Sequence, residues 1–231
     1  MELLLLNSIT RKELNDCFLI NSNYSLEKVE LDNGVSYHII RDILKDPARC
    51  KEILDKYPVI IPPDNTYTPG GRQNFSYVDL YPLLNFYSNI AEKIKGKVHL
   101  PEHFITASNV VPHHPAVWEN SWIPHTDYDL VFNLWLCDWS EGTGLFTWNG
   151  FKNEEEADSF PYTPLNTNNI VPWQNPTNEY GFEHYHTIPC LYNSVAIYDG
   201  TMFHGTIMGE GKDEYRYSLI SFYEEDISRK W

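Results

Sequence analysis

The chain has 231 residues, and 17 Lys plus Arg stand against 32 Asp plus Glu, a formal net charge of −15. Hydrophobic residues at 42% and aromatics at 15% exclude a disordered chain. So acidic a surface argues against nucleic acid or an anionic membrane as a generic partner.

The apolar run Leu3 to Leu6 is far shorter than the roughly 20 residues of a membrane span. It has no basic flank and no small-residue cleavage site, so we expect no secretory signal and a cytoplasmic protein. Asp32-Asn33-Gly34 is a turn signal between short apolar runs. Arg41 to Tyr57 reads as a helix, which Pro47 resets to a start near Asp46. Pro58 to Gly71 reads as a loop. Ser76 to Lys95 reads as a second helix, with Leu80, Leu83, Leu84, Tyr87, Ile90, Ala91 and Ile94 near a 3.6-residue period and Pro82 in its first part.

From Gly96 the texture changes to strand-like runs rich in β-branched and aromatic residues. They are Phe104 to Val111, Trp122 to Asp127, Leu130 to Asp138, Gly144 to Trp148, Val195 to Tyr198 and Tyr215 to Tyr223. The pattern predicts a mainly β fold, a sandwich or barrel with supporting helices. We expect a single domain over 1–231, with helices and strands of 1–98 supporting a β core over 99–231. Asn149 to Thr187 interrupts that core with four prolines and seven asparagines, and reads as an insertion acting as a lid or binding loop. Cys17, Cys50, Cys137 and Cys190 are scattered, without a CxxC pair, and read as reduced thiols rather than zinc ligands.

Chemistry concentrates at His125-Thr126-Asp127, where an extended backbone puts imidazole and carboxylate on one face. Alone, this is as readily a hydrogen-bonded His–Asp pair of no further role. His204 follows a strand and the turn Asp199-Gly200, and Arg216 and Ser218 share one face of the last strand, opposite Tyr217 and Leu219. An arginine facing a sheet interior needs an anion, and a guanidinium beside a hydroxyl suits a carboxylate. Two His and one carboxylate with open positions are the ligand set of non-haem Fe(II) oxygenases.

The order HxD, a long gap, H, then RxS resembles the Fe(II)/2-oxoglutarate-dependent oxygenase superfamily, and its prolyl-hydroxylase-like branch most. The resemblance runs from Trp118 to Glu224, with Gly142-Thr143-Gly144-Leu145-Phe146 where that branch has a Gly-Gly-x-Leu turn. It implies a double-stranded β-helix, the cupin-like jelly roll. It implies His125, Asp127 and His204 as Fe(II) ligands and as the catalytic centre. It implies Arg216 and Ser218 on the distal carboxylate of 2-oxoglutarate, O2 as oxidant and ascorbate as a supporting reductant. Trp122 and Trp135 stand where the branch often carries tyrosines, and Trp135 together with Asn133, which has the same face parity, is expected to contact the co-substrate. Trp122, Trp148 and Trp173 are expected to contact the substrate. That substrate is a protein, a peptide or a small molecule, and the negative charge favours a neutral or cationic one. A non-catalytic jelly-roll binding module and a cupin-type metalloenzyme without 2-oxoglutarate remain the alternatives.

Overall fold

The computed structural model describes residues 9–57, 71–99, 106–112, 124–137, 142–152, 181–207 and 215–225; the side chains of 106–112, Gly71, Arg72, Asn74, Tyr215 and Arg216 lie outside this set. Helix α1 (Arg11–Cys17) starts at a capping box, where Thr10 accepts from the Glu13 backbone and Glu13 reaches back to Thr10. Strands β1 (Ser25–Glu30) and β2 (Ser36–Arg41) form a hairpin through Asp32-Asn33-Gly34, with Gly34 at φ 81°. Helix α2 (Pro47–Leu54) begins where Asp46 accepts from Arg49 N and Pro47 fills the first position, so Arg41 closes β2 instead of opening a helix.

The second expected helix is divided. Tyr77–Asp79 form one 3-10 turn, and helix α3 (Tyr81–Lys95) follows with Pro82 in its first turn, where a missing N–H leaves no bond broken. Leu83, Leu84, Tyr87, Ile90 and Ala91 form the buried stripe of α3.

The remaining strands are β3 (Gly71–Phe75), β4 (Val98–His99), β5 (Thr106–Pro112), β6 (Leu130–Trp135), β7 (Thr143–Trp148), β8 (Phe182–Ile188), β9 (Ser194–Tyr198), β10 (His204–Thr206) and β11 (Tyr215–Glu225). The large sheet runs β1-β2-β9-β6-β11-β5-β3, with β4 beside β11. The small sheet runs β10-β7-β8, and an isolated bridge from His125 extends it beyond β10. All these pairings are antiparallel. From β5 onward the chain passes to the His125 bridge, returns to β6, crosses to β7 and β8, returns to β9, crosses to β10 and ends in β11. That alternation between two sheets is the double-stranded β-helix, or jelly roll, and the expected fold class holds.

Alternation along β6 sorts two cores. Leu130, Phe132 and Leu134 pack with α3, while Val131 and Trp135 pack between the sheets with Leu145, Ile188 and Tyr198. The expected insertion, 149–187, ends too late: β8 takes Phe182–Ile188 as a partner of β7. Its His and Glu content hid the strand, because five of the seven residues of β8 are exposed or half-buried. Residues 153–180 lie outside the described set. Among the described residues no helix is long and apolar enough to cross a membrane.

Candidate metal centre

The site is made where β9 leaves the large sheet and returns as β10. Asp199 organises that turn: its Oδ1 accepts from Thr201 N at 3.0 Å and Thr201 Oγ1 at 2.7 Å, and its Oδ2 meets Lys95 Nζ at 2.9 Å. The Gly200 carbonyl accepts from Asp127 N at 2.7 Å. A Cβ on Gly200 would lie 1.9 Å from the Tyr128 carbonyl oxygen, so only glycine lets the two backbones approach. His125 and His204 exchange both backbone hydrogen bonds at 2.9 Å, which sets the two imidazoles side by side with ring centroids 4.7 Å apart.

Asp127, two residues past His125, projects to the same place. Its Oδ2 is 3.1 Å from His204 Nε2 and 3.7 Å from His125 Nε2. One ligand atom from each of the three residues lies within 4.8 Å of the others, the single such group of three or more among the described residues. The Met202 carbonyl holds His204 Nδ1 at 2.8 Å, which assigns the proton to Nδ1 and turns Nε2 toward Asp127. Burial alone would raise the Asp127 pKa; with no metal held and the rings protonated, the hydrogen bond from His204 Nε2 and the positive charge of both imidazoles outweigh it, whereas a bound metal takes the place of those protons. The carboxyl therefore sits below its ordinary range and is ionised at neutral pH.

Side-chain exposure rises from 4% at His204 through 25% at Asp127 to 42% at His125, so the cluster is walled on one side and open on the other. Tyr198 meets the His204 ring edge-on at 5.0 Å on the walled side. The donor set fits a divalent first-row metal with open positions, two neutral imidazoles and one carboxylate.

The inner face between the sheets also carries polar groups. Asn133 is 4% exposed; its Nδ2 is 3.4 Å from Thr143 Oγ1, and its Oδ1 has no partner among the described residues. Trp135 is fully buried, and its indole N–H has no partner among the described residues. Ser218 on β11 pairs in register with Trp135 and is buried. Two buried polar atoms without a described partner, beside a buried hydroxyl, set polar chemistry on this face. The backbone of Arg216 pairs with Val111 two residues before Ser218.

Sequence reasoning thus named residues that the fold brings together, His125, Asp127 and His204, and a second set, Asn133, Trp135 and Ser218, on the inner face. Trp148 packs against Phe203 at 6.4 Å, beside Phe182. Trp122 and Trp173, expected at the substrate, lie outside the described residues. His184 and His186, an i, i+2 pair, do not join the cluster; they bond to Thr187 Oγ1 at 2.9 Å and Tyr37 Oη at 3.2 Å. Sequence reasoning missed the Met202 carbonyl and the backbone contact at Gly200, although the Asp199-Gly200 turn marked the spot.

The fold and the cluster together define a jelly roll with a His-Asp-His group able to hold a metal ion. No protein-family model matches the chain, and no curated protein does. Among solved structures it is similar to the non-heme alpha ketoglutarate dependent epimerase SnoN from nogalamycin biosynthesis, at 12% identity and a TM-score of 0.48, over 82% of this chain and 77% of that one.

Proposed function

We propose that the chain is an Fe(II)- and 2-oxoglutarate-dependent oxygenase that hydroxylates a protein, peptide or small-molecule substrate. The observation that carries this reading is the convergence of His125, Asp127 and His204, with one ligand atom of each within 4.8 Å of the others. In it, His125 and His204 supply neutral nitrogens and Asp127 the anion, and the Met202 carbonyl keeps the His204 proton off the ligand atom. With iron, 2-oxoglutarate and O2 bound, the site supplies oxidative decarboxylation to succinate and CO2, coupled to oxidation of a substrate C–H bond.

The buried polar groups between the sheets orient the co-substrate. The Trp135 N–H and the Ser218 hydroxyl would donate to its carboxylate, and Arg216, expected from the sequence, would neutralise that charge. Asn133 offers an amide to the same ligand. The half-exposed side of His125 is where the substrate enters, and the charge of −15 favours a neutral or cationic one. Ascorbate would serve as the supporting reductant.

The test is anaerobic titration with Fe(II) and 2-oxoglutarate. We expect a visible metal-to-ligand charge-transfer band from the wild type. Asp127→Ala should bind Fe(II) at least ~100-fold more weakly, since loss of an outer-shell partner alone costs up to about that much. A folded wild type that binds Fe(II) and develops no band with 2-oxoglutarate would overturn the assignment.

A further inference from the structure

The four cysteines stand far apart in sequence and meet in two pairs in space. Cys17 Sγ lies 3.6 Å from Cys50 Sγ, and Cys137 Sγ lies 3.8 Å from Cys190 Sγ. The first pair joins α1 to α2 in the core under the helices, and the second joins the end of β6 to the segment leaving β8, between the sheets. All four are buried, and none is in a disulfide. A buried cysteine can serve as a small apolar filler. Cys17 Sγ also donates to the Leu14 carbonyl at 3.1 Å and Cys137 Sγ to the Tyr217 carbonyl at 3.6 Å, yet in each of the two cores the cysteines meet sulfur to sulfur.

We propose that Cys17–Cys50 and Cys137–Cys190 are two disulfide-forming sites, one stapling the helical layer and the other stapling the large sheet to the small one. Each pair needs to close by less than about 2 Å to reach the ~2.05 Å bond length. Closure breaks two S–H bonds and forms one S–S bond. The two electrons and two protons pass to a small-molecule disulfide such as oxidised glutathione, which leaves as two thiols. Burial and the Cys17 neighbour hold the Cys50 thiol well above its ordinary pKa, and a buried thiol offers no thiolate to solvent. The bonds therefore form as the chain folds, before the cores close. A chain folded in a reducing compartment keeps four thiols.

The experiment is refolding of the full chain in a glutathione redox buffer, unfolding in guanidinium chloride with iodoacetamide to label every remaining thiol, intact mass and non-reducing peptide mapping. The expected product takes up no label, is four hydrogens lighter than the reduced chain, and links Cys17 to Cys50 and Cys137 to Cys190. It should melt on the order of 10 °C above the dithiothreitol-treated protein. Four labelled cysteines after oxidation, or links between other partners, would overturn the proposal. Closure of one pair alone would overturn the other, and a melting point that oxidation leaves unchanged would remove the stapling role.

Discussion

The two faces of the large sheet use the same strands for different ends. On the helix side, Phe132 stacks on Tyr87 at 4.5 Å and meets Tyr223 edge-on at 5.2 Å, and Leu130, Leu134 and Leu219 fill the space around them. The phenol of Tyr223 donates to the Leu84 carbonyl at 3.0 Å, and that of Tyr217 to Asp55. On the other side Asn133, Trp135 and Ser218 alternate with those residues and face the small sheet. Polar atoms without a partner among the described residues occur on both faces, since the Tyr87 hydroxyl and Gln73 Oε1 are such atoms too. What separates the faces is company. Tyr87 is flanked by the rings of Phe86 and Phe132, whereas Trp135 and Asn133 share their side with Thr143 and Ser218. One face is apolar and aromatic packing, and the other sets polar groups among the apolar residues between the sheets.

The largest expected effect tests that division on adjacent residues. Phe132→Ala should lower unfolding free energy by about 3–5 kcal/mol, read by urea denaturation. Asn133→Leu, one residue along and on the opposite face, should change it by less than about 1 kcal/mol, because it replaces a poorly satisfied amide by an apolar group of similar size. Equal losses in the two variants would erase the distinction. Next comes Trp135→Phe, which keeps most of the ring and removes only the N–H. Affinity for 2-oxoglutarate should fall roughly tenfold, about 1.4 kcal/mol, while the melting temperature of the ligand-free protein holds or rises. An unchanged affinity would take Trp135 out of the site.

The smallest effect is a pH dependence shared between the faces. Burial, then the charge of His184, lowers the pKa of His186, which faces Tyr37; burial, then Lys28, lowers that of His38 on the neighbouring β2 position. Both folded values lie below the ordinary histidine value of 6.5, so the unfolded chain takes up protons first as pH falls. Their contribution is fully present above pH 6.5 and declines as pH drops through that value toward the folded pKa values. Melting curves between pH 7.5 and 5 should show the decline, and His186→Gln with His38→Gln should flatten it. A slope unaltered by both substitutions would assign the decline to other groups.

Local signals in the chain were legible because backbone geometry repeats over short distances. The period of two put His125 beside Asp127 and set Ser218 opposite Tyr217 and Leu219, as the structure has them. The period of 3.6 and the prolines placed α2 and α3, apart from the exact turn at which each begins. Strand-rich composition after Gly96 pointed to a β sandwich, and the resemblance to a known ligand pattern joined His204 to the pair 77 residues away. The hairpin β1–β2 as the edge of the large sheet, the strand β8 among polar residues, and the meeting of Cys17 with Cys50 and Cys137 with Cys190 left no local trace. Nor did the need for glycine at position 200, which comes from the Tyr128 backbone lying against it. By itself, then, the sequence determined which faces are apolar, where elements begin and which residues bear chemistry, because these depend on neighbours a few positions away. The order of strands in the two sheets decided which distant groups share a space, because that depends on how faces of different elements pack together and no single segment encodes it.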